Sequence, residues 1–285
     1  MSEPSPRISV VTPTLNRPGE VAALLTNLSR QTVLPYELIL VDAAAEGEIA
    51  TQGVVEKATP SFPCQYIRHG GGTAIQRNVG IEMAHGDYIA FVDDDIRLEN
   101  DFFKNIICVF EVDGEKKVGG VVGYRTNEYF TPVEQPRWIW YRRLNLFTTF
   151  EPGRYDFESG YPINANLQPP FNGIRVVDFM STSCAVWRKE VFATGLRFDP
   201  FFSNYGVLED AHFALRAQKN WTLLQCGEAR CIHLSSPHGR ERHHMVAKKT
   251  AVNYRYVFID IVPKRTWKQE LRFWRVQGFD LFRFI

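Results

Sequence analysis

Phe91-Val92-Asp93-Asp94-Asp95 sets three carboxylates directly after an apolar run. Like charges this close repel, and leaving them unpaired at a buried strand end is costly. A divalent cation removes the conflict, and hard carboxylate oxygens suit Mg2+ or Mn2+. The plainer reading is an acidic turn that caps the next helix. Glu209-Asp210 is a second acidic site, opening a helical pattern after the apolar approach Phe198-Asp199-Pro200-Phe201-Phe202. In partly apolar surroundings a carboxylate keeps its proton to higher pH and can take one from a hydroxyl, so this pair is a candidate general base. Its alternative is an ordinary acidic helix start. Arg77 lies one helical turn after Gly70-Gly71-Gly72. An arginine and glycine-rich backbone near a cation suit a polyphosphate, although the glycines match neither the dinucleotide nor the P-loop spacing. Asp42 ends a strand and could accept a hydrogen bond from a base or ribose, or simply shape a turn. His233, at a strand end, and His238, after a Ser-Ser-Pro turn, are candidate nitrogen ligands for the same cation.

These residues need a scaffold that gathers them. Apolar, β-branched runs predict strands over 8–11, 37–41, 65–68, 88–92 and 118–124. Between them, Pro18 opens a helix with Val21, Leu24, Leu25 and Leu28 on one face. Thr73 can cap another helix that runs through Met83, and 98–110 reads as a third. Strands alternating with helices predict an α/β fold, a Rossmann-type mostly parallel sheet flanked by helices. Ligands in such sheets sit beyond the carboxyl ends of the strands, which selects residues 12–16, Asp42, 68–72 and 93–95 as neighbours. Farther on, 176–187 reads as extended and 208–218 as helical, while 221–225 and 229–233 read as two strands. Residues 125–173 lack periodicity. They supply Trp138, Trp140, Tyr141, Tyr155 and Tyr161 beside Arg137, Arg142 and Arg143. Aromatic faces suit sugar rings and arginines suit acidic groups. The alternative is a loop packed on the sheet by its own aromatics.

Composition narrows the classes. The chain has 285 residues, with 45% hydrophobic and 23% charged side chains, too apolar for disorder. A net charge of +1 gives no whole-chain signal for nucleic acid. No apolar run reaches the roughly 18–20 residues of a membrane span, and the first residues lack the apolar core of a secretion signal, so a cytoplasmic location is expected. Five cysteines without a C-x-x-C pair read as reduced thiols, and Cys226 and Cys231 near the two histidines fit no common zinc spacing. Charge is uneven: residues 1–240 carry 23 basic and 28 acidic side chains, residues 241–285 carry 10 and 4. Lys264, Lys268, Arg272 and Arg275 recur at spacings of four, four and three, with Trp267, Leu271, Trp274 and Leu281 on the adjoining face. A basic amphipathic helix of this kind reads as a peripheral contact of residues 263–285 with the inner face of a membrane. Packing on its own domain, or on a second subunit in a homodimer, competes with that reading.

As an ordered set, these segments resemble the inverting family-2 glycosyltransferases of GT-A fold. The matching pieces run from Val10-Val11-Thr12-Pro13-Thr14-Leu15-Asn16-Arg17 through Leu40-Val41-Asp42 and Gln76-Arg77-Asn78-Val79-Gly80-Ile81. They continue with His85-Gly86-Asp87 leading into the aspartate triplet, then Ser183-Cys184-Ala185-Val186-Trp187-Arg188, and end with Leu208-Glu209-Asp210-Ala211-His212. The resemblance implies a UDP- or GDP-sugar donor and a hydroxyl acceptor on a glycan, glycolipid or lipid-linked glycan, as in polysaccharide biosynthesis. It implies that Thr12, Thr14, Asn16 and Asp42 hold base and ribose, and that Arg77 faces the base or diphosphate. Pro13, Gly72 and Asp94 complete the donor set. The D-x-D element would put Asp93 towards the ribose and Asp95 on the metal, joined by His233 or His238. Asp210 would be the base, with Glu209 its neighbour. Residues 1–240 would form the GT-A domain, with a donor half over 1–123 and an acceptor and base half over 124–240, and residues 241–285 a helical tail. Asp42-Ala43-Ala44-Ala45 departs from the Asp, Ser and Gly usual there, and the Gln-x-x-Arg-Trp element of processive synthases is absent. A silent nucleotide-sugar binding module and a nucleotidyltransferase are the rivals. The first would be expected to lack the acids, and the second to carry a glycine-rich loop with a Lys or Arg after the first strand.

Overall fold

The computed structural model describes residues 6–130, 136–203, 206–235 and 243–281. In chain order the elements of the first half are β1 (Ile8–Thr14), α1 (Pro18–Leu28), β2 (Glu37–Asp42), α2 (Ala50–Lys57), β3 (Cys64–Arg68), α3 (Thr73–Met83), β4 (Tyr88–Val92), β5 (Ile96–Leu98), α4 (Phe102–Glu111) and β6 (Val118–Arg125). The second half adds α5 (Pro136–Arg143), β7 (Tyr155–Asp156), β8 (Tyr161–Pro162), β9 (Ile174–Val177), β10 (Cys184–Arg188) and α6 (Lys189–Ala193). It closes with α7 (Glu209–Ala217), β11 (Thr222–His233), α8 (His243–Ile261) and α9 (Trp267–Leu281).

The main sheet runs β3-β2-β1-β4-β10-β6-β11-β5, with β9 also paired to β11. β3, β2, β1 and β4 are parallel, so their carboxyl ends all open on one edge. β10 is antiparallel to both β4 and β6, while β6 and β11 are parallel. Every residue of β1 is buried, as expected of a strand covered on both faces. α1 buries Val21, Leu24, Leu25 and Leu28, the face that its spacing predicts. α3 crosses β1 at Gly80, where a Cβ would lie 2.2 Å from a methyl of Val11. Only hydrogen fits there, and that close approach sets how deep α3 sits behind the sheet edge.

The departures from the sequence pattern have local causes. α2 shows no clear stripe because it buries only Thr51 and Val55. The helix read over 98–110 starts later, at Phe102, because Leu98 ends a short strand the pattern did not show: Ile96 to Leu98 pair with β11. The two strands expected near the end are one, β11, whose pairing with β6 shifts between Gln225 and Arg230. Thr73 is the first residue of α3 and not its cap. Gly72 holds the cap position at φ 87, a left-handed conformation that glycine adopts without strain. Most aromatics of 136–167 pack inward, Trp140 and Phe157 being the exposed ones. Trp138, Tyr141, Phe147 and Ile163 form a small second core with Val276 of α9.

Residues 243–281 are joined to the body. Val257 of α8 enters the main core, and Phe258 stacks on Phe273 at 5.0 Å to tie α8 to α9. Lys264 lies in the turn before α9, so the predicted basic stripe begins on the helix only at Lys268. Among the described residues no helix is long and apolar enough to cross a membrane.

Candidate active site

A cleft of about 730 Å3 opens at the carboxyl ends of β1 to β4. Pro13, Thr14, Gly72, Arg77, Asp93 and Asp94 line it, as do Asp95, Glu209, Asp210 and His233. Both acidic clusters thus share one cavity, although more than a hundred residues separate them in sequence. Thr12, Asn16 and Asp42 stand behind the wall and do not line it. His238 lies outside the described residues.

One guanidinium ties the clusters together. Arg77, only 3% exposed, donates to Glu209 through Nη1 and to Asp93 Oδ1 through Nη2 at 2.9 Å. Burial opposes the charge on Arg77, but Asp93 and Glu209 outweigh it and raise its pKa further. Glu209 also accepts from the Thr73 hydroxyl at 2.7 and 2.9 Å. Burial pushes Glu209 up to about 7 against the pull of Arg77 and Thr73. With Nη1 and Nη2 each on a carboxylate, and Nε buried without a partner among the described residues, Arg77 fixes the spacing of the two clusters and adds positive potential to the wall.

Asp94 is also turned inward. It accepts from the Thr14 hydroxyl at 2.6 Å and from Arg17 at 2.5 Å. Burial lifts it to about 7, and its neighbours Asp95 and Asp93 push the same way. Asp42 is fully buried: Oδ1 accepts from the backbone N–H groups of Asn16 and Ala44, each at 2.9 Å, and Oδ2 from the Tyr66 hydroxyl at 3.0 Å. In this structure it braces the loop behind Pro13 and Thr14, with both oxygens engaged.

Asp95 and His233 face each other, with Oδ1 and Nε2 3.3 Å apart. β11 delivers His233 by pairing it with Ile96, one residue past Asp95. Asn127 clamps the histidine backbone through both its amide groups, at 2.7 and 3.0 Å. The other ring nitrogen donates to Glu128 at 2.5 Å, which fixes the ring's orientation. The two carboxylates, Asp95 first, raise His233 to about 9. Burial works against the charge on Glu128, but His233 and Arg125 overcome it and keep that carboxyl below its ordinary value.

Asp210 differs from its neighbour. It is half-buried at the cleft wall, and among the described residues its hydrogen-bond donor is the N–H of Ala211 in its own helix, at 2.7 Å. Burial raises its pKa, opposed by that N–H and by Arg77. A carboxylate that faces a cavity with raised basicity and without an ion pair is suited to accept a proton. Leu208 enters α7 at φ 68, a strained conformation for a leucine, directly before the acidic pair. α8 braces this turn. Asn253 donates to the Val207 carbonyl at 2.8 Å, Tyr256 to Asp199 at 2.7 Å, and His212 pairs with Asp260 at 2.9 Å.

Sequence reasoning missed several wall residues. Arg17, the last residue of the first motif, carries no role in the sequence pattern, yet it meets both Asp94 and Asp95. Ser181, Thr182 and Ser183 line the cleft, and three hydroxyl residues directly before a strand were a readable signal. Glu128 had no local signal, because only the β6–β11 pairing brings it to His233. The aromatics Trp138, Tyr141 and Tyr155, expected towards an acceptor, are buried away from the cleft, and Tyr161 packs on Phe147 at 4.6 Å. The packed-loop alternative is the one the structure shows.

A parallel β3-β2-β1-β4 half, an antiparallel β10 insertion and a cleft at the strand ends beside an aspartate triplet define the GT-A class of α/β folds. The chain belongs to glycosyl transferase family 2, whose model matches residues 9–193. An uncharacterized glycosyltransferase of Haemophilus influenzae is 39% identical over 90 residues, 31% of this chain and 29% of that protein. The matched stretch spans about a third of the length of the curated relatives it resembles. Among solved structures, GalNAc-T7 with UDP, GalNAc and Mn2+ superposes with a TM-score of 0.66 at 14% identity, covering 91% of this chain and 48% of that one. The mannosyltransferase PcManGT from Pyrobaculum calidifontis, in complex with GDP-Man and Mn2+, gives 0.61 at 15% identity, covering 93% and 66%. At such identities these likenesses establish the fold.

Proposed function

We propose that this cleft binds a nucleoside-diphosphate sugar, UDP- or GDP-linked, and transfers the sugar with inversion to a hydroxyl of a glycan, glycolipid or lipid-linked acceptor. The observation that carries the reading is Asp210, a carboxylate without an ion pair among the described residues that faces the same cavity as the aspartate triplet, with Arg77 spanning the gap. Asp210 takes the proton of the acceptor hydroxyl as its oxygen forms the new bond to the anomeric carbon. The bond from that carbon to the diphosphate oxygen breaks on the opposite side. Gly71, Gly72 and the start of α3 present backbone N–H groups and a positive helix end to the diphosphate. Pro13 and Thr14 shape the wall beneath the nucleoside, backed by Thr12, Asn16 and Asp42. Held in line, donor and acceptor need little further ordering to react.

The residues present fit a divalent cation. Asp95 Oδ1 and His233 Nε2 stand 3.3 Å apart, a spacing two ligands of one ion can share, and Glu128 orients the imidazole from behind. An imidazole in the set favours Mn2+ over the harder Mg2+. Among the described residues no three His, Cys, Asp or Glu side chains are placed to hold one ion together, and Asp95 with His233 would be the pair that holds it. When bound, the cation offsets charge on the leaving diphosphate.

Donor hydrolysis across a panel of nucleotide sugars, with and without Mn2+, tests the reading. Asp210→Asn should lower turnover by about 10²–10⁴-fold while donor binding persists. Near-normal turnover on a verified acceptor would remove Asp210 from the base role. Activity that survives exhaustive chelation would remove the metal. Donor binding without any hydrolysis or transfer would favour the silent module.

A further inference from the structure

α9 has two unlike faces. Phe273 and Val276 are fully buried against the body, and Phe279 packs on Tyr141 at 5.2 Å. On the opposite side Trp267, Leu271 and Trp274 are 71%, 53% and 57% exposed. Their spacing of four and three puts them in one stripe. A folded protein rarely leaves two tryptophans and a leucine in water on one helix face unless something covers them.

The stripe has a neighbour that the sequence did not reveal. Arg275 of α9 donates to the Leu144 carbonyl, just past the end of α5, at 3.1 Å. The Tyr141 hydroxyl of α5 donates to Asp280. α5 buries Trp138 and Tyr141 and exposes Trp140 at 47%, with Leu144 at 41% just beyond it. Arg142 and Arg143 are exposed beside them, as Lys268 and Arg275 are on α9. Among the described residues none of these four cations has an ion pair. Two instead lie over exposed indoles: Arg143 over Trp140 at 5.5 Å and Lys268 over Trp267 at 5.9 Å. The nearby acids are engaged elsewhere. Glu270 is bound by Arg255 and Arg265 at 2.7 and 2.8 Å, Asp280 by Tyr141, and Glu158 accepts from Gln269 on the side of α9 away from the tryptophans.

We infer that the surface shared by α5 and α9 docks on an anionic phospholipid bilayer. Indoles favour the boundary between water and acyl chains, and unpaired Arg and Lys favour anionic headgroups. A second copy of this chain fits poorly, because a two-fold contact would set the same four cations against themselves. The inference goes beyond a basic tail. It makes Trp140, Arg142 and Arg143, more than a hundred residues earlier in the chain, part of the same docking face.

Flotation of the full chain with vesicles of phosphatidylcholine alone, and with phosphatidylglycerol added at three parts in ten, tests it. Binding is expected only with the anionic vesicles, and should fall steeply with added salt. Trp267→Ala/Trp274→Ala and Arg142→Glu/Arg143→Glu should each reduce it at least tenfold. All six positions tested or named as cations are exposed, so unchanged circular dichroism and unfolding temperature will separate lost docking from lost folding. Full binding by the α5 variant overturns the two-helix surface. Equal binding to neutral vesicles, or a dimer in solution that the same variants dissociate, overturns the lipid assignment. Nucleotide-sugar hydrolysis in solution should be unaffected by these variants. If the wild type hydrolyses no donor, the proposed transferase fails while the vesicle result stands.

Discussion

Arg77→Met probes the guanidinium that joins the two acidic clusters. Methionine keeps much of the buried volume, so the change removes charge more than packing. Two responses compete. If Glu209 stayed ionised without its partner, the loss would be about 3–5 kcal/mol, as for other broken buried pairs. If Glu209 instead protonates, the loss is about 1.4 kcal/mol for each unit by which pH exceeds its pKa. Burial already holds Glu209 at about 7 with Arg77 present, and removing Arg77 moves it higher. Protonation therefore wins near neutrality. Below pH 7 the variant loses only charge-assisted hydrogen bonds, about 1.5–3 kcal/mol each in a buried site. Asp93, with 29% of its side chain exposed, falls back on water.

The sign of the pH dependence follows. In the wild type, folded Glu209 keeps its proton between the ordinary 4.5 and about 7 while the unfolded chain has released it, so its contribution to stability declines as pH rises through that window. Above 7 the wild type has released the proton and the variant still holds it. The penalty of Arg77→Met should thus be flat below pH 7 and grow by about 1.4 kcal/mol per unit above it, until Glu209 ionises in the variant as well. Urea unfolding followed by tryptophan fluorescence at pH 6, 7.5 and 9 measures this. Arg77→Met/Glu209→Gln should lose most of the slope. A penalty equal at pH 6 and 9, or a slope that survives in the double variant, would refute the reasoning.

In chelator, His233 should add stability that is full below its ordinary 6.5 and lost as pH rises through about 9, on the order of 3 kcal/mol in all; His233→Gln should flatten that part of the profile. Because a cation must displace the same proton, Mn2+ affinity measured by calorimetry should rise about tenfold per pH unit up to about 9. Gly80→Ala should lower the unfolding temperature, since the added carbon meets Val11 at 2.2 Å and overpacking of about 1–3 kcal/mol exceeds the helix-propensity gain of about 1 kcal/mol. Asn253→Ala should cost about 1 kcal/mol and lower kcat more than it raises the donor KM, because it frees the Val207 carbonyl at the turn before Asp210.

Much of this protein is written locally. The runs of β1 and β4 and the four-leaf apolar face of α1 are patterns of a few residues, and they stand in the structure where the spacing put them. The aspartate triplet and Glu209-Asp210 are likewise visible as acids at element ends. What the chain order could not disclose is which of them meet. Arg77 reaches Glu209 across 132 positions and Glu128 reaches His233 across 105. The first of these contacts depends on how α7 packs beside α3 and the second on strand order, and no local spacing encodes either. The same holds for direction: Asp42 turns inward to Tyr66, Trp138 and Tyr141 turn away from the cleft, and Trp140 joins the tryptophans of α9 on the outside. Residue type says what a side chain can do; only the packed sheet and its flanking helices decide what it faces, because burial and partners are properties of surfaces brought together from distant parts of the chain.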